Sequence, residues 1–179
     1  LVWLDEKGVI WAVTDGQYLN ASNIEQFLTA GSFDFVTRKK RLDYPFPQPL
    51  AAVAAALGQD VGAGISGKFT NHLEKYKSTV RQDYEGQSMR ITFINQSILT
   101  FYHYALFHWK GKSFVNNTVL EVPNPERFEY DNSLGYVDKW HRENTYCYEL
   151  YFLPNATDEQ KYEQALADLN ACFGLWGRI

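Results

Sequence analysis

Three prolines in five residues, in the run Tyr44-Pro45-Phe46-Pro47-Gln48-Pro49, constrain this chain more than any other stretch. Proline lacks a backbone N–H and fixes φ, so neither a helix interior nor a central strand continues through such a run. The run predicts a junction, and the sequence divides around it into residues 1–31, a linker at 32–49 and a second unit at 50–179. At 179 residues the chain has room for one ordinary domain plus part of another.

Before the junction, Val2-Trp3-Leu4 and Val9–Val13 are β-rich runs separated by Asp5-Glu6-Lys7-Gly8, a turn in which Gly8 takes positive φ without steric cost. Ser22 stands three residues before Glu25, a capping-box spacing. Ile24, Phe27 and Leu28 share a helical face, and Gly31 is placed to end the helix. Such a hairpin and helix hold too little apolar surface for an independent core, so residues 1–31 are expected to be ordered only against more protein.

After the junction, Leu50–Leu57 is Ala-rich and helical, stopped by Gly58, and Gly62–Gly67 reads as a flexible loop. Strands are predicted at Lys77–Glu85, Ser88–Ile94, Ile98–Trp109, Ser113–Val122 and Asn144–Leu153, with turns at Gly86, Asn95-Gln96 and Lys110-Gly111-Lys112. Ile98–Trp109 is apolar or aromatic on both alternating faces, the pattern of a central strand. Residues 126–143 read as irregular or briefly helical. Thr157 and Gln160 cap a final helix whose Tyr162, Ala165, Leu166, Leu169 and Phe173 form an apolar stripe. The expected class is α+β: a hairpin–helix segment, then an antiparallel sheet domain with a closing C-terminal helix.

A formal net charge of -4 gives no electrostatic reason to expect nucleic acid, and the run Arg38-Lys39-Lys40-Arg41 is short enough to be a solvated linker face. No stretch reaches the roughly 18 consecutive apolar residues of a membrane span. Sequons at Asn20, Asn95, Asn116 and Asn155 matter only in a eukaryotic secretory setting. Residues 62–68, GAGISGK, match the G-x-x-x-x-G-K part of a phosphate loop. Phe69 stands where a magnesium-binding hydroxyl belongs, however, and the stretch follows an Ala-rich helix rather than a strand; no magnesium-dependent nucleotide binding is expected. His72, His103, His108 and His141 show no metal-ligand spacing, no nucleophile elbow is present, and no cofactor is expected.

Aromatic residues are 16% of the chain and crowd two stretches. Tyr102, Tyr104, Trp109, Tyr146 and Tyr148 are candidates for a partner surface, with the core of a broad sheet as their other destination. Cys147 and Cys172 form no CxxC pair. Strand and helix geometry bring them to similar heights, which keeps a Cys147–Cys172 disulfide open. Cys147 nevertheless points away from the apolar strand face of Tyr146, Tyr148, Leu150 and Phe152, and two free thiols are the expectation.

The opening stretch VWLDEKGVIWAVTDGQYLNASNIEQFL resembles the last third of a thioredoxin fold, and most of all the end of TlpA-type thiol–disulfide oxidoreductases, with a V-W-I-D-like strand, a K-G turn and a T-x-G-x-Y loop. ENTYCYEL followed by a capped helix with ADLNACFGLWGR is similar to an extra C-terminal domain on some TlpA-type proteins of Bacteroidetes. The resemblance implies the C-terminal portion of a periplasmic or outer-membrane-associated enzyme whose CxxC and cis-proline would lie upstream of Leu1. No catalytic residue carries over to this chain, which alone is expected to be redox-inactive. Its second unit would then dock a protein substrate or an envelope partner, with association to an outer-membrane complex. The alternative is a non-catalytic interaction subunit of a cell-envelope complex; carbohydrate binding is a third reading, resting on aromatic content alone.

Overall fold

A computed structural model describes the chain except residues 15, 32–40, 65, 87, 111–118, 132, 134 and 177–179. Among the described residues it is mixed α+β, with two antiparallel sheets and five α-helices. The expected strand at Ser113–Val122 and most of the basic run fall largely outside the described residues.

The first sheet is a hairpin of β1 (Val2–Leu4) and β2 (Ile10–Val13), with Trp3 opposite Ala12. The Asp5 carboxylate accepts the Lys7 and Val9 N–H groups at 2.9 Å, and Gly8 has φ 75°. Helix α1 (Ala21–Ala30) follows. Its cap is Asn20, whose side chain accepts the Asn23 N–H; the expected Ser22–Glu25 box is incorrect, because Asn20 caps the helix two residues earlier. Gly31 ends it at φ 69°. Trp3 and Trp11 each pack on Phe27, with ring centroids 5.2 and 5.1 Å from it. On the other side of β1, Val2 and Leu4 are about half exposed (52% and 51%), and α1 has no buried residue.

The second sheet has five strands in the order β3 (Gly62–Ala63), β4 (Gly67–Asn71), β7 (Thr145–Phe152), β6 (Ser88–Ser97), β5 (Thr79–Glu85), all neighbours antiparallel. The expected flexible Gly loop is therefore a β-hairpin. Helices α3 (Ile98–Lys110) and α5 (Asp158–Phe173) cover one face, burying Ile91, Phe93, Tyr148, Leu150 and Phe152. Helix α5 carries the complete Thr157–Gln160 capping box. Helix α2 (Leu50–Ala56) and the segment before it cover the other face, where Tyr44, Leu50, Val53, Leu73, Tyr76, Ile94 and Cys147 cluster. Helix α4 (Val137–Asn144) leads into β7.

Two expectations need correction here. Ile98–Trp109 is helix α3 up to its last residue, not a strand. Ile98, Phe101, Tyr102, Ala105 and Leu106 are buried at helical spacing, so the apolar residues fill one broad helix stripe against the sheet. The second unit also begins before Leu50. Tyr44 is buried, and Leu42 exchanges backbone hydrogen bonds with Lys75 and Lys77, so the proline run packs on the sheet instead of linking two bodies.

Candidate functional site

Strand β6 reaches α3 through an irregularity between Phe93 and Gln96, where the pairing with β7 shifts register. Asn95 sits in it with φ 53° and is buried. Its Oδ1 accepts the Leu73 N–H at 2.8 Å, and its Nδ2 donates to the carbonyls of Leu73 (3.0 Å) and Tyr76 (2.8 Å). The Cys147 thiol also donates to Asn95 Oδ1 at 3.3 Å. This side chain ties the 73–76 turn to the sheet and re-aims the chain into α3.

Where β6 gives way to α3, a concave cleft of about 420 Å³ opens between the first turns of α3, residues 128–130 and α4. Its floor is apolar and buried, with Leu99, Phe128 and Trp140. Trp140 is held by donation from its indole N–H to the Glu126 carbonyl, 2.6 Å, and meets Tyr130 edge-on at 5.9 Å. The walls carry Ser97 and Thr100, whose hydroxyls are 2.9 Å apart, and the imidazoles of His103 and His141; Glu129 stands at the rim. Burial pushes both imidazoles below the usual histidine range, against an upward pull of Glu129 on His103. For His141, Arg41 adds to the lowering and Asp138 opposes it. No lysine or arginine lines the cleft among the described residues.

Behind Thr145 lies a third histidine, His72. Thr145 Oγ1 donates to the His141 carbonyl at 2.7 Å and has no second proton, so His72 Nδ1, also 2.7 Å away, is the donor to it. The Nε2 of His72 is then a bare acceptor, buried and with no hydrogen-bond partner among the described residues. Desolvation, followed by the charges of Arg41, His141 and Arg142, lowers the His72 pKa to about 4. Folded His72 therefore binds fewer protons than unfolded His72, and stability falls as pH drops from about 6.5 towards 4. Going from about pH 7 to about pH 5, the loss assigned to His72 is about 2 kcal/mol. Urea unfolding across that range should show this loss in the native protein and a flatter profile in His72→Asn, which keeps a donor for Thr145.

The phosphate-loop match has a different explanation. The loop does cradle an anion, the carboxylate of Asp168 on α5, which is fully buried. It accepts the Ser66 N–H at 2.8 Å, the Ser66 hydroxyl at 3.1 Å and the Tyr148 hydroxyl at 3.1 Å. Lys68 alternates with Gly67 and Phe69 along β4, so it lies on the opposite face from Asp168 and is exposed.

On the α2 face, a charged row crosses three strands. Arg90 is 3.3 Å from Asp83 and 3.9 Å from Glu149, and both Arg90 and Glu149 are buried. Glu149 also accepts the Leu50 N–H at 3.1 Å and the Tyr151 hydroxyl at 3.3 Å, which makes it a strut between sheet and α2.

None of the protein-family models, curated proteins or solved structures compared with this chain matches it.

Of the candidate partner-surface aromatics, Tyr102 and Tyr148 are core residues and offer no docking surface. Tyr148 is stacked on Phe69 at 4.1 Å, and Tyr102 donates to Asn170 at 2.9 Å. Tyr104 and Tyr146 are half-buried; their hydroxyls accept from Gln82 (2.9 Å) and Arg127 (3.2 Å). Trp109 lies in α3, and its side chain is outside the described residues. Among the described residues no group of three or more His, Cys, Asp or Glu side chains is arranged to hold a metal ion. No helix is long and apolar enough to cross a membrane among the described residues.

Both cysteines are free thiols, on opposite sides of the sheet: Cys147 faces α2, and Cys172 is exposed on α5. Burial pushes the Cys147 thiol up to about 12, and burial with Asp168 nearby raises Cys172, so neither is an activated nucleophile. The native protein is expected to release one thiol rapidly to a disulfide reagent at neutral pH and the second only on unfolding. Two fast thiols, or none after denaturation without reductant, would contradict this arrangement.

Proposed function

We propose that this chain is the C-terminal portion of a periplasmic TlpA-like thiol–disulfide oxidoreductase. Residues 1–31 would close its thioredoxin-type sheet, and the following α+β domain would bind a substrate or partner. One observation carries the proposal. Among the described residues the hairpin has a helix on one side only, while Val2 and Leu4 stay half exposed on the other, in a two-stranded sheet with both edges open. A thioredoxin-like sheet is wider and covered on both faces, so it would pair an open edge and bury these side chains. The raised thiols of Cys147 and Cys172 also agree with a reactive dithiol located elsewhere in the whole protein.

The test is made on the full-length natural protein. It is expected to catalyse dithiothreitol-driven reduction of insulin and to lose that activity when either cysteine of a CxxC N-terminal to Leu1 is replaced. A full-length protein without such a dithiol, or inactive with one, would sink the oxidoreductase reading and leave the non-catalytic envelope subunit in its place.

A further inference from the structure

We propose that the cleft between α3, residues 128–130 and α4 is a binding site for a neutral sugar, about one hexose unit in size. The cleft residues all lie between Ser78 and Thr145, so the inference stands apart from any role of residues 1–31.

The chemistry of the lining selects the ligand. A volume of about 420 Å³ suits a small molecule and is far below what a docked protein element needs. The lining holds no cation among the described residues, and its one carboxylate, Glu129, disfavours phosphates and carboxylates. What remains are uncharged groups of kinds that both donate and accept, the Ser97 and Thr100 hydroxyls and the imidazoles of His103 and His141, beside the Gln96 amide, whose nitrogen already donates to Ser78 and Ile94. Below them is an apolar and aromatic floor of Leu99, Phe128 and Trp140. A sugar ring has the matching two-sided character, with hydroxyls that donate and accept around its rim and C–H groups on its faces. Glu129 at the rim adds a charged acceptor for a sugar hydroxyl, the stronger kind of hydrogen bond.

The cleft is also pre-organised. Trp140 is fixed by its bond to Glu126, and Thr145 by its bonds to His141 and His72, so little side-chain freedom is lost on binding.

The protein is titrated with D-glucose, D-galactose and D-mannose, and with inorganic phosphate as the anionic control. Backbone amide shifts and tryptophan fluorescence are recorded at neutral pH. At least one sugar is expected to give saturable shifts confined to residues around Ser97–His103 and Trp140–Thr145, with a dissociation constant on the order of 1 mM. His103→Leu and Thr100→Val should each weaken that binding about tenfold, with unchanged far-ultraviolet circular dichroism. Should one variant fail to fold, the other and the shift map of the native protein still decide. No saturable response to any of the three sugars at tens of millimolar, shifts that map elsewhere, or phosphate binding in the cleft would each overturn the proposal.

Discussion

Asn95→Ala is expected to lower the free energy of unfolding by about 4 kcal/mol, the largest effect of a single substitution foreseen in this chain. The alanine removes the partners of two buried backbone groups at once, the Leu73 N–H and the Tyr76 carbonyl, and one of the two donors to the Leu73 carbonyl, which keeps the Tyr76 N–H. A buried polar group left unsatisfied costs about 1–3 kcal/mol, and alanine adds about 1 kcal/mol at φ 53°, a conformation asparagine tolerates better. Asn95→Gly separates the two causes: it should recover only the conformational part, about 1 kcal/mol. Urea unfolding followed by circular dichroism measures all three proteins, and a loss below about 1 kcal/mol in Asn95→Ala would refute the role of this side chain.

Gly67→Ala should cost about 3 kcal/mol for a different reason. Gly67 has no positive φ; the constraint is space. A Cβ there would overlap Tyr148 Cε2 and lie 2.7 Å from Asp168 Oδ2 and 3.0 Å from the Glu149 carbonyl. Tyr148 has no room to retreat, because its ring is stacked on Phe69 and faces Phe93 at 5.9 Å. Moving it would also break its bond to Asp168 and leave a buried carboxylate short of a donor. A fall in the thermal midpoint of about 10 °C, with a changed near-ultraviolet spectrum from the displaced tyrosine, is the expected result. An unchanged midpoint would mean that the loop and α5 are not packed as described.

Glycine at position 67 is thus required by the Tyr148 ring and by the internal carboxylate it binds, 101 residues further along the chain (168 − 67). From the sequence alone, the same glycines match part of a phosphate-loop pattern but read as a flexible loop. The recognition physics is shared, since an exposed backbone N–H and a hydroxyl suit either anion. Which anion is supplied depends on what α5 brings across the sheet.

Local signals settled what local chemistry controls. The Gly8 turn, the Gly31 stop, the Thr157–Gln160 cap and the side of β7 that meets α5 were all readable, because each depends on residues within one turn or one strand. The switch from strand to helix at Ile98 was not. Aromatic and β-branched residues favour strands locally, but burial of Phe101, Tyr102, Ala105 and Leu106 against β6 and β7 outweighs that preference. The proline run ended regular structure as its chemistry demands, yet only the packing of Tyr44 on the sheet decided that it belongs to the domain. The cleft was equally invisible. Its residues come from Ser78, β6, α3, the 128–130 segment, α4 and the start of β7, and Asn95, held by a turn some twenty residues away, sits where the strand gives way to the helix. Capping, turns and periodicity act over a few residues and can be read from sequence; a site assembled from several distant elements exists only once hydrophobic burial has set those elements against one another.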